Sequence, residues 1–341
     1  MQTMMKPDRA SVFDRLRRRW RPLLLAAVLL AAVLLVATYF IEATHSWDAL
    51  YRLTGLTGDT LPQPPQGSTA VLVLDVGQGD AVLLLQDGEA CLIDTGTADS
   101  ADILLADLDE LGVESLRYLM LTHPHADHTG GARAVLDALP VETLLLPYWQ
   151  PEEIPAAPDV YLPGWPRSIL QTAEAQDTAV ATAVNEQSYP LGSGSLTVLH
   201  GGLLPDESAP QLTANVNNAS LCTMFAAGDF RFLDTGDAEK EVEQLLADSY
   251  GPALRADLFK AGHHGSATSN TLSFLQLVRP CAVAVSCGLD NDYGHPHREA
   301  LQSFAAVGAE IWRTDESGTL MFTYNNGNLD VATASSVQEA A

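Results

Sequence analysis

Three imidazoles and a carboxylate fall within six residues at His123-Pro-His125-Ala-Asp127-His128, directly after the apolar run Tyr118–Leu121. Such a segment is a poor choice for packing, because every polar side chain buried there would need a partner. A short strand that delivers it to a sheet edge would instead project several donors into one cleft. In an extended segment His123 and His125 point the same way, while Asp127 and His128 turn toward a neighbouring point. Two metal ions can therefore share the cluster. A solvated loop is the bland alternative, and three further placements weigh against it. Asp94 ends the apolar run in Leu92-Ile-Asp-Thr-Gly96, Asp237 ends Asp234-Thr-Gly-Asp237, and His263-His264-Gly-Ser266 follows another apolar run.

The pattern around these residues alternates strands with helices. Val71–Leu74, Ala81–Gln86 and Ala90–Ile93 are apolar runs separated by glycines, as strands joined by tight turns should be. A helix is expected over Ala101–Leu111, a strand over Tyr118–Leu121, a helix over Thr129–Leu139 and a strand over Thr143–Leu146. Residues 147–192, rich in Pro, Ala and Glu, are too long for a plain connection and read as a loop or lid. The rhythm then repeats, with strands at Leu196–Leu199, Leu221–Ala226, Phe230–Leu233, Asp257–Lys260 and Ala282–Ser286. Helices are expected at Glu239–Ser249, Asn270–Val278 and His297–Val307, and last strands at Glu310–Arg313 and Thr319–Tyr324. Strands first and helices after, twice over, predict an α/β fold with two packed β-sheets flanked by helices.

The N-terminus is of another kind. Arg15, Arg17, Arg18, Arg19 and Arg21 precede an uncharged apolar run from Pro22 to Ile41. A helix needs about 20 such residues to cross a bilayer. A cleaved signal peptide is the rival reading, but the run is long for one, and Tyr39, Phe40 and Ile41 stand where a small-residue cleavage site would be. The expected organisation is a basic cytoplasmic segment at 1–21, one transmembrane helix at 22–41 and a Pro-rich linker at 42–67. A folded domain at 68–330 and a frayed tail at 331–341 follow. With the arginines inside, the chain is a single-pass protein of the cell membrane whose catalytic domain is extracellular.

Charge divides across that boundary. The chain holds 18 Lys and Arg against 43 Asp and Glu; seven and two of these lie in residues 1–21, which leaves 11 against 41 beyond. So acidic a domain repels polyanions wherever metals or a local basic patch do not invert the field. Lys260, Arg298 and Arg313 stand near the ends of the motifs. The four cysteines, Cys91, Cys222, Cys281 and Cys287, lack the C-x-x-C spacing of a thiolate zinc site and read as buried free thiols.

Taken in order, Asp94, the His-x-His-x-Asp-His cluster, Thr235-Gly-Asp237 and the His-His-Gly-Ser run resemble the successive motifs of the metallo-β-lactamase superfamily. More narrowly, Leu74-Asp-Val-Gly-Gln-Gly-Asp-Ala81, Asn217-Asn-Ala-Ser220, Lys260-Ala-Gly-His-His-Gly-Ser266 and Tyr293-Gly-His-Pro-His297 resemble the extracellular hydrolase domain of the ComEC-type competence proteins. The resemblance spans about residues 68–325 and implies the superfamily's αββα sandwich. It also implies two divalent metal ions, zinc first and manganese as the alternative. Carried over by motif, His123 and His125 would hold the first metal, Asp127 and His128 the second, and Asp237 would bridge them. The last ligand falls in the pair His263 and His264, and His264 is favoured because it immediately precedes a glycine. Asp94 would orient the cluster. The superfamily's third histidine for the first metal is missing, and Asn217 and Asn218 stand in its place. A weaker first site, an Asn oxygen as ligand or a preference for manganese over zinc is the implied consequence.

Catalytic candidates are Asp127, Asp94 and His295, the last as a leaving-group acid or substrate grip. Substrate contacts are expected from Ser266, Tyr293, Asn217 and Asn218, with Gln78 and Asp80 at the rim. The resemblance implies a phosphodiesterase, with DNA among its possible substrates, held to the membrane by its one helix and with no obligate protein partner. Hydrolysis of small esters, lactones or β-lactams, and a non-catalytic binding module that keeps the fold, are the alternatives.

Overall fold

The computed structural model describes residues 61–65, 67–147, 165–202, 215–325 and 327–334. The expected basic segment, the transmembrane run 22–41 and most of the linker lie outside them. Among the described residues no helix is long and apolar enough to cross a membrane.

Near-continuous apolar strands predict sheets covered on both faces, because alternate side chains must each find a core. The first sheet has eight strands: β1 (Thr69–Val73), β2 (Val82–Gln86), β3 (Glu89–Ile93), β4 (Leu116–Met120), β5 (Val141–Leu146), β6 (Ala179–Thr182), β14 (Leu320–Asn325) and β15 (Asn328–Thr333), in the order β15-β14-β1-β2-β3-β4-β5-β6. The second has seven: β7 (Ser188–Leu191), β8 (Gly194–His200), β9 (Cys222–Ala227), β10 (Phe230–Asp234), β11 (Leu258–Lys260), β12 (Ala282–Val285) and β13 (Glu310–Arg313), in the order β13-β12-β11-β10-β9-β8-β7. Each sheet is antiparallel on one side and parallel on the other, the parallel strands being β3 to β6 and β10 to β13.

Val71, Val73, Val82, Ile93 and Met120 of the first sheet pack against Leu196, Val198, Phe225, Phe230 and Phe232 of the second. The alternate residues Leu72, Leu83, Leu92 and Leu119 face outward, onto Leu104 and Leu108 of helix α1 (Ala101–Glu110) and Val135 and Leu136 of helix α2 (Ala132–Ala138). Helix α3 (Trp165–Ala175) adds Ile169 and Ala173 to that layer. On the far face of the second sheet lie Val242 and Leu246 of α4 (Lys240–Tyr250), Phe274 and Leu275 of α5 (Leu272–Val278) and Phe304 of α6 (Arg298–Val307). The αββα sandwich expected from the sequence is present.

Five expectations need correction. The stretch 147–192 contains α3, β6 and β7, although residues 148–164 are not described. The chain is ordered into strand through Thr333, within the segment expected to fray. Leu61 is buried and its N–H donates to Glu110 at 2.8 Å, so the end of the expected stalk docks onto α1. Cys281 is exposed because it precedes β12, whereas Cys91, Cys222 and Cys287 are buried; all four are free. The helix expected over Thr129–Leu139 is also broken. One helical turn, Ala126–Thr129, is followed by Gly130 and Gly131 before α2 begins. Any Cβ on Gly131 would lie 2.5 Å from the Thr95 carbonyl oxygen, so this close approach requires glycine.

Candidate metal centre

Parallel strands present their C-terminal ends at one edge, and that is where the polar residues gather. Asp94 follows β3, His123 follows β4, Asp237 follows β10, and the pair His263 and His264 follows β11. Antiparallel β2 enters from the same edge, which brings in Asp80.

Asp237 stands at the middle. Its carboxylate is faced by His128 Nε2 at 3.3 Å, His263 Nε2 at 3.5 Å, His123 Nε2 at 3.7 Å and His264 Nε2 at 3.8 Å. His123 Nε2 is 2.9 Å from His125 Nδ1, and Asp127 Oδ2 is 3.5 Å from His264 Nε2. Donor atoms of His123, His125 and Asp237 converge within 4.8 Å of one another, and so do those of Asp80, His128, Asp237 and His264. His128 Nε2, His264 Nε2 and Asp237 Oδ1 are buried without a hydrogen-bond partner among the described residues. Buried polar atoms left unpaired are costly, and these three aim at one another's neighbourhood. Such a donor set fits divalent cations held by imidazole and carboxylate.

The second arrangement is fixed from behind. Asp94 accepts from Thr122 N at 2.8 Å and Thr122 Oγ1 at 2.6 Å, and its Oδ2 lies 2.7 Å from His128 Nδ1. This carboxylate–imidazole contact leaves Nε2 free to face Asp237 and fixes the ring's orientation, the role expected of Asp94. Burial raises the Asp94 carboxyl above its usual range. For His128, burial opposes protonation, but the charges of Asp237 and Asp94 outweigh it and raise the ring well above the ordinary imidazole value. His264 is raised to about 10 in the same way, against burial, by Asp80 and Asp237. His123 is held well below its usual value by burial and by the charge on His128. For Asp237, burial pushes upward, but His128 and His264 hold the carboxyl well below its usual range. The site thus concentrates carboxylate charge that protons or cations must balance.

The pair His263 and His264 owes its reach to an unusual backbone. Both residues adopt left-handed conformations, at φ 50° and φ 54°, so consecutive rings enter the same cleft. Asn270 pins this turn: its side chain accepts from Gly262 N at 2.9 Å and donates to the carbonyls of Gly262 at 2.8 Å and Ser266 at 3.1 Å.

A cleft of about 350 Å³ opens over the cluster, with Gln78, His125, Asp127 and Asp237 on its walls. His295 and Tyr293 form its lip, stacked at 18° with ring centroids 5.7 Å apart, and Tyr293 is 66% exposed. His295 also stacks on His264, and its buried Nδ1 has no hydrogen-bond partner among the described residues. Burial and the neighbouring His264 lower its ring to about 4, so it is neutral at pH 7. Its loop is braced by Asn291, which accepts from His295 N and donates to the His295 carbonyl oxygen.

Four expected substrate contacts move. Asp80 is not at the rim: it is buried and paired with the buried ammonium of Lys260. Ser266 is buried, and its hydroxyl is engaged with the Thr268 hydroxyl at 3.0 Å and the Thr268 amide at 3.2 Å. Asn217 and Asn218 hold Glu239 rather than line the cleft. Asn217 Nδ2 donates to Glu239 Oε1 at 3.2 Å, and Asn218 Oδ1 accepts from Glu239 N at 3.0 Å. Glu239 Oε1 in turn lies 3.7 Å from His263 Nδ1. Gln78 does line the cleft, with its Oε1 accepting from Gly288 N. The sequence reading missed Thr122, Glu239 and Asn270 altogether and counted Lys260 among the cations near the ends of the motifs. A lysine inside the apolar run Leu258-Phe-Lys260 was the available signal, since lysine is almost never fully buried unless paired.

Residues 74–288 match the family model described as the metallo-beta-lactamase superfamily. The chain belongs to the metallo-β-lactamase superfamily. Its curated relatives within that superfamily include ComE operon protein 3 of Bacillus subtilis (strain 168), 29% identical over 74% of this chain and 33% of that protein. Competence protein ComA of Neisseria gonorrhoeae is 28% identical over 82% of this chain and 36% of its own length. The ComEC-type resemblance of the motifs therefore extends over most of the chain, which spans about a third of the length of these relatives. Among solved metallo-β-lactamase folds, CmlA, a diiron β-hydroxylase from Streptomyces venezuelae, superposes with a TM-score of 0.52 at 16% identity, covering 77% of this chain and 55% of that one. That likeness concerns the fold alone.

Proposed function

We propose that this chain is an extracytoplasmic hydrolase with two divalent metal ions, zinc first and manganese as the alternative, that cleaves phosphodiesters, DNA among them. The run 22–41 anchors it in the cell membrane with its N-terminus in the cytoplasm. The observation that carries the catalytic reading is the Asp237 carboxylate, met by four imidazole Nε2 atoms at 3.3 to 3.8 Å, as a bridging ligand between two sites would be. In this reading His123 and His125 serve one metal, Asp127, His128 and His264 the other.

When bound, the two cations supply positive charge against the substrate's anionic oxygens and lower the pKa of a coordinated water toward ~7. The chain's own residues do the rest. Asp94 holds His128 in one orientation, Tyr293 offers a planar face beside the scissile group, and the His295 ring lines the cleft beside the leaving group. Competence protein ComA stands among the curated relatives, and the resemblance of the motifs to ComEC-type hydrolase domains favours DNA among the phosphodiesters.

The test is hydrolysis of bis-p-nitrophenyl phosphate, single-stranded DNA and nitrocefin by the purified full chain with zinc or manganese, beside a His125→Ala variant. Phosphodiester turnover that disappears in the variant supports the proposal, and DNA cleavage narrows it to a nuclease. Turnover of nitrocefin alone overturns it in favour of acyl hydrolysis, and no turnover despite bound metal favours a binding module.

A further inference from the structure

We propose that the buried pair Asp80 and Lys260 is a positioning device for the second metal: Asp80 orients His264 from behind, and Lys260 keeps Asp80 from becoming a ligand itself. The inference rests on the two-metal reading above.

Asp80 Oδ1 lies 3.2 Å from His264 Nδ1, and its Oδ2 lies 3.9 Å from His128 Nδ1. The opposite ring atoms, Nε2 of both histidines, are the ones that face Asp237 at 3.8 and 3.3 Å. Asp80 therefore meets the backs of two imidazoles whose fronts meet the bridging carboxylate. An imidazole that donates Nδ1–H to a carboxylate presents Nε2 as a fixed lone pair, and such contacts set both tautomer and ring orientation. His128 already has Asp94 for this purpose at 2.7 Å. His264 Nδ1 has its hydrogen-bond partner in the Ser286 carbonyl oxygen at 3.1 Å, and the buried Asp80 Oδ1, which has no hydrogen-bond partner among the described residues, faces the same nitrogen at 3.2 Å. Asp80 thus faces His264 from behind by its charge, as Asp94 faces His128 by a hydrogen bond, and reaches from the first sheet to a ligand on the second.

The backbone places it for that role. Asp80 N donates to Asp127 O at 3.0 Å, and Asp80 O accepts from Gly96 N at 2.7 Å, so the residue is strapped to the loop that carries the histidine cluster. Gly79 makes the approach possible, since a Cβ there would lie 2.5 Å from the Asp127 carbonyl oxygen. Ser286, whose carbonyl oxygen meets His264, donates its hydroxyl to Gly79 O at 2.6 Å.

Lys260 supplies the second half of the argument. Its side chain is fully buried, its ammonium pairs with Asp80 Oδ2, and the Asp234 carboxylate also acts on it. A buried pair costs desolvation and is weak ground for stability alone. Here it takes one carboxylate oxygen out of play, so Asp80 keeps its other oxygen for His264 Nδ1.

The experiment measures metal binding rather than turnover. Metal-free full chain is titrated with manganese and followed by electron paramagnetic resonance, and with zinc against a chromophoric chelator. In Asp80→Asn/Lys260→Met, which removes both charges together, the first metal should bind as in the parent and the second about 10- to 100-fold more weakly. The spin-coupled manganese-pair signal should give way to that of an isolated ion at stoichiometric loading. Two metals at parental affinity in the folded double variant overturn the inference and leave a merely structural ion pair. If that variant does not fold, Asp80→Asn, which leaves Lys260 facing Asp234, decides by the same readout: weakened second-metal binding supports the inference and unchanged binding overturns it. A parent chain that binds fewer than two metals overturns the two-metal reading itself.

Discussion

Replacing Asn270 by alanine should damage stability and metal binding together. Its buried side chain makes three hydrogen bonds to the backbone of the turn that carries His263 and His264. At roughly 1 kcal/mol net for each bond the loss is about 3 kcal/mol, and backbone groups left unpaired in the interior carry it to about 5 kcal/mol. Asn270 itself sits at φ 63°, which disfavours alanine further. For a domain of this size each kcal/mol is worth ~2–4 °C, so the melting temperature should fall by about 6 to 20 °C. The turn holds two non-glycine residues in the left-handed region, at about 1 kcal/mol or more each. Released from its pin it should relax, and the affinity of the metal held by His264 should fall about tenfold or more, since 1.4 kcal/mol is a factor of ten. Urea unfolding of the metal-free chain and chelator-competed zinc titration give the two numbers. A stability loss of the expected size with zinc affinity unchanged would refute the claim that Asn270 holds the ligand geometry, and an unchanged urea midpoint would refute the whole account.

Glu243 gives a pH prediction away from the metal centre. Burial raises its carboxyl to about 7 despite hydrogen bonds from Thr271 and Asn270, so the folded state holds the proton more tightly than the unfolded one. Its contribution is fully present below the ordinary value of 4.5 and is lost as pH rises through 7, up to about 3 kcal/mol. Urea midpoints of Glu243→Gln and the parent should therefore diverge in pH dependence across that window, and parallel curves would sink the assignment. Tyr293→Ala should raise KM for single-stranded DNA about tenfold, the lower part of the ~1–3 kcal/mol range for base stacking. Tyr293→Phe should stay near the parent, and a pure kcat effect would contradict a stacking role. Binding of single-stranded DNA should weaken only gently with salt, with a log–log slope no steeper than about −2, because each phosphate neutralised contributes ~0.7. A steeper slope would show a basic track that the described residues do not contain.

Much of the fold was legible because its strands are buried on both faces. In β1, β2 and β3 almost every residue is apolar, and such runs ending in Asp94, His123 or His263 announce both a strand and the edge where it stops. The metal cluster was legible because three imidazoles in six residues have no packing use. What failed was pairing at a distance. Nothing local to Asp80 says that Lys260 will meet it 180 residues later, or that Asn270 will reach back to Gly262. Asp80 was expected at the rim of the cleft, whereas Gly79 beside it admits a close backbone approach and Asp80 is buried. The missed strand β15 is a different failure, because the signal was present. Asn326-Gly327 joins β14 to β15 with Asn325 opposite Asn328, and Asn-Gly between extended segments is the strongest short-range hairpin signal. Helix α3 was hidden by its flanks, since a Pro-rich approach and a polar end masked eleven residues of helical spacing.

Charge links the site to the proposed substrate. Beyond residue 21 the chain has 11 basic residues against 41 acidic ones. Two of the three cations that stood near the motifs are committed internally. Lys260 is sealed against Asp80, and Arg313 is held by Asp315 and Glu316 at 2.6 and 2.7 Å, which leaves exposed Arg298. A phosphodiester approaching so acidic a chain meets net repulsion, and at the cleft four carboxylates, Asp80, Asp94, Asp127 and Asp237, gather around the histidines. Two divalent cations there would change the local sign within a few ångströms while the distant field stays negative. Attraction would then be short-ranged, which suits a short stretch of single strand or a chain end better than a duplex lying along the surface. In such a site metal occupancy governs affinity as well as chemistry, so KM for a phosphodiester should rise together with the loss of kcat when the second metal is withdrawn.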